Sequence, residues 1–286
     1  MFNRDEVKEL KGLVNIINEE LINKGENFRI QYQEVYKNNQ KLFAFLIKEE
    51  NNNISPTVYI KKADLSKTIE DWIDYLRRIL MDNTLTHIDL SNMVSKEYIL
   101  THVKREIISN SNKEYIKNKM VVPLLDMVIL FRVYIAEEAS FIVTKDIVKA
   151  CDITIDELME NSEDNYIIKN IFDLTNDFID CEDLDILESI RNLPLLVVTN
   201  TKMRYGATVL SSQKTLDYIL DVIAKDNYYI IPSSVHEILV IDSEYGDKYN
   251  MKNTILDVNK SMINQTDKLT DSLYSYDRKN GLQIVL

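Results

Sequence analysis

Glycine and proline are scarce in this chain, with five of the first and four of the second in 286 residues. The scarcity excludes glycine-rich phosphate cradles: neither a G-x-x-x-x-G-K-S/T run nor a G-x-G-x-x-G run occurs, and there is no G-x-S-x-G nucleophile elbow. Pro-rich linkers are excluded by the same count. Cysteine is as rare. Cys151 and Cys181 make no metal-ligand spacing, and packed thiols in a reducing compartment are their expected state. No window approaches about eighteen uncharged apolar residues, the length a membrane helix needs. Met1-Phe2-Asn3-Arg4-Asp5-Glu6 lacks the apolar core of a secretory signal, so a cytosolic protein is expected. Histidine is limited to His87, His102 and His236, all isolated, and His236-Glu237 lacks the second histidine of a zincin helix. No metal and no cofactor is expected.

What is present is a core. The hydrophobic fraction is 45%, with 16 Tyr and 8 Phe, and the length suggests two subdomains. The charge is uneven. From Asp152 to Glu188 thirteen acidic residues face one base, Lys169, so these 37 residues carry a net charge of -12, which is that of the whole chain. Ile167, Ile168, Ile171, Phe172, Phe178 and Leu184 run through the segment, which is therefore expected to fold as one or two amphipathic helices.

In chain order, Asn3 and Glu6 form a capping-box pattern ahead of the stripe Val7, Leu10, Val14, Ile17 and Leu21, which stops near Gly25. A hairpin follows over 28–48, then a strand at Thr57 to Ile60 and a helix through Ile69, Trp72, Ile73, Leu76, Ile79 and Leu80. Residues 91–118 read as mostly helical, with Tyr98, Ile99, Val103 and Ile107 inward. Asp126 to Tyr134 suits a central strand through its β-branched and aromatic content, a helix being the alternative. Ser140 to Thr144 reads as a strand, and Thr154 and Glu157 as a second capping box.

The most continuous pattern runs from Leu193 to Ser243. It reads as strands at Pro194–Val198 and Gly206–Leu210, a helix capped by Ser212 and ended by Asn227, and strands at Tyr228–Pro232 and Ile238–Ile241. A helix over Lys252 to Met262 and a hairpin turning at Lys279-Asn280-Gly281 close the chain. Connections this short do not support parallel crossovers. The expected fold is α+β, with antiparallel sheets and helices packed on them, in subdomains 1–118 and 119–286.

Asn53-Ile54-Ser55-Pro56-Thr57-Val58-Tyr59, Val198-Thr199-Asn200 with Gly206-Ala207, Ile231 to Glu237, and Ser272 to Asp277 together resemble an uncharacterised bacterial family, domain of unknown function 5688, over nearly the full length. The middle segment from Val121 to about Asn161 is weakly similar to a second such family, domain of unknown function 1444. The first resemblance implies an acidic cytosolic protein of anaerobic Gram-positive bacteria, often in mobile-element contexts. Neither supplies catalytic residues to carry over.

Ser233, Ser234, His236 and Glu237 are the candidate chemistry. On a strand, Ser234 and His236 would share a face with Cα atoms about 6.5 Å apart, too far for a nucleophile-base pair unless the chain bends, and a tight connection with its hydroxyls on backbone groups is the alternative. The leading expectation is a non-enzymatic interaction protein that binds a basic protein partner through the acidic segment, with Asp173, Asp177, Asp180, Glu182, Asp183 and Asp185 as contact residues. A small-molecule-binding or hydrolytic enzyme built on Ser233, Ser234 and His236 is the second reading, and an acidic nucleic-acid mimic the third. Direct nucleic-acid binding is disfavoured by charge repulsion.

Overall fold

The computed structural model describes residues 2–50, 55–82, 93–135, 139–170 and 194–286. Two compact units divide the chain, Met1–Ser91 and Asn92–Leu286. In the first, helix α1 (Arg4–Asn23) opens on the expected capping box: Asn3 Oδ1 accepts from Glu6 N at 2.8 Å, and Asn3 N donates to the Glu6 carboxylate at 2.6 Å. Strands β1 (Phe28–Lys37) and β2 (Gln40–Glu49) form the hairpin, turned at Asn39 in the left-handed region with φ 55°. Strand β3 (Thr57–Tyr59) extends β2, and helix α2 (Ile69–Asp82) follows. Leu10, Ile17, Phe28, Phe45, Ile47, Trp72 and Leu76 form the core of this unit. Burying each such side chain is worth roughly 1.5–3 kcal/mol.

The second unit holds two sheets, and every strand pair in them is antiparallel. Helix α3 (Lys96–His102) runs directly into β4 (Val103–Ser109), which lies along one edge of the central β6 (Met127–Tyr134). Helix α4 (Lys113–Ile116) leads to β5 (Val121–Leu124), and β5 shares the opposite edge of β6 with β7 (Ser140–Ile142). Helices α5 (Lys145–Ala150) and α6 (Ile155–Asn161) follow, α6 on its expected capping box. The larger sheet has the order β13-β12-β10-β11-β9-β8. Its strands are β8 (Tyr166–Asn170), β9 (Leu195–Asn200), β10 (Asn227–Ile231), β11 (Ile238–Asp242), β12 (Tyr274–Asp277) and β13 (Gly281–Ile284). Helix α7 (Gln213–Ile223) joins β9 to β10 through a 3-10 segment, and α8 (Lys248–Ser261) joins β11 to β12. One core unites both sheets: Ile107, Ile129 and Phe131 from the smaller, Val198, Tyr228 and Val240 from the larger, and Leu216 and Ile219 from α7. Among the described residues no helix is long and apolar enough to cross a membrane.

The α+β fold with antiparallel sheets is as the sequence indicates, and β6 settles 127–134 as strand, with Asp126 in the turn before it. The differences are local. Val103 to Ser109 is a strand, not the end of a helix, because Val103, Ile107 and Ile108 are β-branched and β6 offers a full-length partner. The second unit begins at Asn92. Tyr166–Asn170 is strand rather than amphipathic helix, paired along β9. Gly206–Ser211 is a 3-10 turn and not a strand. Ala224, with φ 52°, ends α7 in place of Asn227, which begins β10. Ser212 stands at the N-cap of α7, but its hydroxyl donates to Glu163 at 3.1 Å.

Candidate functional site

The residues singled out around Ser233 form a closed knot between β10 and β11. Both serines turn onto one acceptor: Ser233 Oγ and Ser234 Oγ donate to Glu237 Oε1 at 2.9 and 2.8 Å. Ser234 Oγ in turn accepts the His236 N–H at 3.0 Å, and Ser234 N donates to the Glu237 carbonyl at 3.2 Å. With Ser234 buried, these bonds satisfy groups that would otherwise be costly to desolvate. The His236 ring does not reach either serine. Its Nδ1 accepts from Tyr205 N at 3.1 Å, which puts the ring proton on Nε2, and Nε2 stands 3.7 Å from Asp267 Oδ1.

The 3-10 segment is pinned to the same knot. Gly206 N donates to the His236 carbonyl at 2.8 Å, and Thr199 Oγ1 donates to that oxygen at 2.7 Å. Ala207 N donates to the Val235 carbonyl at 3.3 Å. A Cβ on Gly206 would lie 2.3 Å from Thr199 Oγ1, 2.5 Å from Asn200 N and 2.6 Å from the His236 carbonyl, so the fold leaves room only for glycine. The segments Val198–Asn200, Gly206-Ala207 and Ile231–Glu237, separate in sequence, thus meet at one place.

A different group of side chains lines an adjoining cleft of about 620 Å³. Its two basic sources are the α3–β4 junction, with His102, Lys104 and Arg105, and the loop after β9, with Lys202 and Arg204. Asn200, which is buried, shapes that loop: its Oδ1 accepts from the backbone N–H groups of Lys202 and Arg204 at 3.1 and 3.2 Å, and its Nδ2 donates to the Arg204 carbonyl at 2.7 Å. Met203 and Tyr205 are held there in the left-handed region, at φ 51° and 59°, a conformation that side-chain-bearing residues adopt only when the surroundings enforce it.

Among the described residues, bases outnumber acids in this cleft. Arg105 is 8% exposed, and its guanidinium donates to Ser162 Oγ at 3.0 Å, Ser211 Oγ at 3.0 Å and the Met159 carbonyl, all neutral acceptors. Lys202 and Arg204 are exposed, and among the described residues neither has an ion-pair partner. Asp164 is the acid of the cleft, with Oδ1 at 3.6 Å from Lys104 Nζ and Oδ2 accepting from Asn200 Nδ2 at 2.9 Å. Tyr134 and Tyr205 complete the walls. Burial, aided by Glu106, pushes the Tyr134 phenol up to about 12, so it is a neutral donor at physiological pH.

On the same sheet the opposite arrangement holds. Arg132 Nε and Nη2 grip the Glu106 carboxylate at 2.5 and 3.1 Å, and Arg132 also donates to Tyr115 at 3.3 Å. Burial disfavours that guanidinium's charge, yet Glu106 holds its pKa above the ordinary arginine value. Lys119 lies 3.0 Å over the Tyr115 ring, and burial followed by repulsion from Arg132 pulls its amine down to about 8.

Asp173, Asp177, Asp180, Glu182, Asp183 and Asp185 lie outside the described residues, as do His87 and Cys181. His102 stacks on Tyr98 at 4.0 Å. Among the described residues no group of three or more His, Cys, Asp or Glu side chains could hold a metal ion. Sequence reading missed Lys104, Arg105, Lys202, Arg204, Tyr134 and Asp164 as one group. The available signal was a pair of short basic runs, His102–Arg105 and Lys202–Arg204, in an acidic chain.

No curated protein and no solved structure matches this chain. One family does, described as a family of unknown function, DUF5688, and its match spans residues 6–278. The chain, from α1 to the final hairpin, belongs to that family.

Proposed function

We propose that this is a cytosolic binding protein that captures an anionic ligand in the cleft between the α3–β4 junction and the loop after β9. The observation that carries the reading is unneutralised positive charge. Arg105 is buried on neutral acceptors, Lys202 and Arg204 extend beside it without an acidic partner among the described residues, and the loop that presents them is fixed by Asn200. In a chain of net charge -12, such a patch is unlike its surroundings, and partly enclosed walls concentrate its field. A bound anion supplies the counter-charge that Arg105 lacks among the described residues, with charge-assisted hydrogen bonds stronger than neutral ones.

Calorimetric titration with inorganic pyrophosphate tests this. Binding is expected that weakens as salt rises, and that is lost in the double variant Lys202→Ala, Arg204→Ala while its unfolding midpoint stays at the wild-type value. Equal affinity in the double variant would overturn the reading. The hydrolytic alternative at Ser233 and Ser234 draws less support, since His236 is turned away from both hydroxyls.

A second reading rests on the acidic segment 152–188, whose concentration of the chain's whole net charge favours long-range attraction of a basic protein. Its test is the salt dependence of association with a captured basic partner after Asp177, Asp180, Glu182 and Asp183 are replaced by amides. An unchanged slope would remove the segment from recognition.

A further inference from the structure

Taking the anion-binding cleft as the site, we infer that its ligand is a ribonucleoside 5′-phosphate, with the phosphate on Lys202 and Arg204, the base against Tyr205, and hydroxyl or amino donors of the ligand facing Asp164. Size argues first. A bare phosphate fills a small part of about 620 Å³, a volume in the range of sites that hold whole cofactors and metabolites.

The second argument is that the cleft holds an acid among its bases. Asp164 shares it with the cations and is paired with one of them, Lys104, at 3.6 Å from Asp164 Oδ1. A carboxylate repels a ligand that is anionic throughout. It favours one that also carries N–H or O–H donors, as the ribose hydroxyls and exocyclic amines of a nucleotide do. Asn200 ties Asp164 to the basic loop: its Nδ2 donates to Asp164 at 2.9 Å, while its Oδ1 accepts from Lys202 N and Arg204 N. One buried side chain therefore ties the Asp164 carboxylate to the backbone of the basic loop.

Third, aromatic rings are interleaved with the charges. Tyr205 belongs to the cleft, its ring packs at 5.4 Å from the His236 ring, and the Arg204 guanidinium stands 5.4 Å from its centroid. Its backbone is fixed as well, through the Tyr205 N–H to His236 Nδ1. A held ring beside a guanidinium is a stacking platform that accepts any base through its π-face, next to a group that binds phosphate.

Calorimetry on the full chain with the four common ribonucleoside 5′-monophosphates, ribose 5-phosphate and inorganic phosphate tests the inference. At least one nucleotide is expected to bind about tenfold or more tighter than ribose 5-phosphate, the scale of one base–aromatic stack. That ratio should fall toward unity in Tyr205→Leu, which keeps apolar bulk and removes the aromatic face. Asp164→Asn should move the ligands in opposite directions, weakening the nucleotide and strengthening phosphate. If ribose 5-phosphate binds as tightly as every nucleotide, the nucleotide inference falls while the anion-binding reading stands. If no probe binds, phosphate included, both fall.

Discussion

The Ser233–Glu237 knot and the cleft beside it meet at Tyr205, whose backbone N–H serves the first and whose ring lines the second. Both are polar, and both use the segment that follows β9, but they differ in what is left over. In the knot each hydroxyl proton, the His236 N–H and the His236 carbonyl have a partner within the chain. In the cleft, among the described residues, a buried guanidinium has only neutral acceptors and two further cations have no acid. A completed network holds a fold together and has little left to offer a ligand. Uncompensated charge adds nothing to folding and is available to something else.

The largest effect that would break this contrast is at Gly206. Gly206→Ala places a methyl among Thr199, Asn200 and the His236 carbonyl, at separations of 2.3 to 2.6 Å, and two of those atoms are backbone. A loss of about 3 kcal/mol or more is expected from such overpacking, read as a fall in the urea midpoint. A variant as stable as the parent would mean that the knot yields easily and does not brace the sheet.

Ser234→Ala is the intermediate case. It removes one donor to Glu237 and leaves the His236 N–H without its acceptor in a buried setting. A cost of about 1–3 kcal/mol follows from a buried donor left unsatisfied. Chemical denaturation measures it, and a change near zero would reopen Ser234 as a functional hydroxyl rather than a structural one.

The smallest effect sharpens the comparison by asking how burial treats a cation. The Lys119 amine is pulled down to about 8 from an ordinary 10.5, so its charged form is disfavoured in the folded chain. Below about pH 8 both states carry the proton and the penalty is complete. Between about 8 and 10.5 the unfolded chain holds a proton that the folded chain lacks, so this group makes stability rise with pH. Tyr115 and Tyr134, both pushed up to about 12 chiefly by burial, act in the opposite sense above their ordinary value of 10.0. The difference between wild type and Lys119→Met therefore isolates the lysine: the variant should be the more stable near pH 8, with the gap closing toward pH 10.5. A gap independent of pH would show that Lys119 titrates as a solvated amine.

Much of the scaffold was legible before any coordinates. The two capping boxes, the hairpin at Lys37–Gln40 and the closing turn at Gly281, with φ 70°, each depend on residues within a few positions of one another, and each stands where the pattern put it. The apolar stripe of α1 and the central β6 are of the same kind, since periodicity and β-branching act along the chain. Local pattern failed where a distant partner decided. Gly206-Ala207-Thr208-Val209-Leu210 has the composition of a strand, but its first two N–H groups are taken by Val235 and His236 carbonyls, so it winds into a 3-10 turn. Tyr166–Asn170 sits in an acidic, amphipathic stretch, and the free edge of β9 makes it a strand.

The cleft belongs wholly to this second kind. By itself the sequence determined the α+β class, the hairpins, the helix caps and an uneven charge, because those are set by neighbours in the chain and by composition. Only the tertiary structure brought Lys104 and Arg105 beside Lys202 and Arg204, turned Asp164 toward Lys104, and left Arg105 buried on neutral oxygens. These juxtapositions arise from the packing of two sheets around one core, and no periodicity within either basic run records which distant segment it will face.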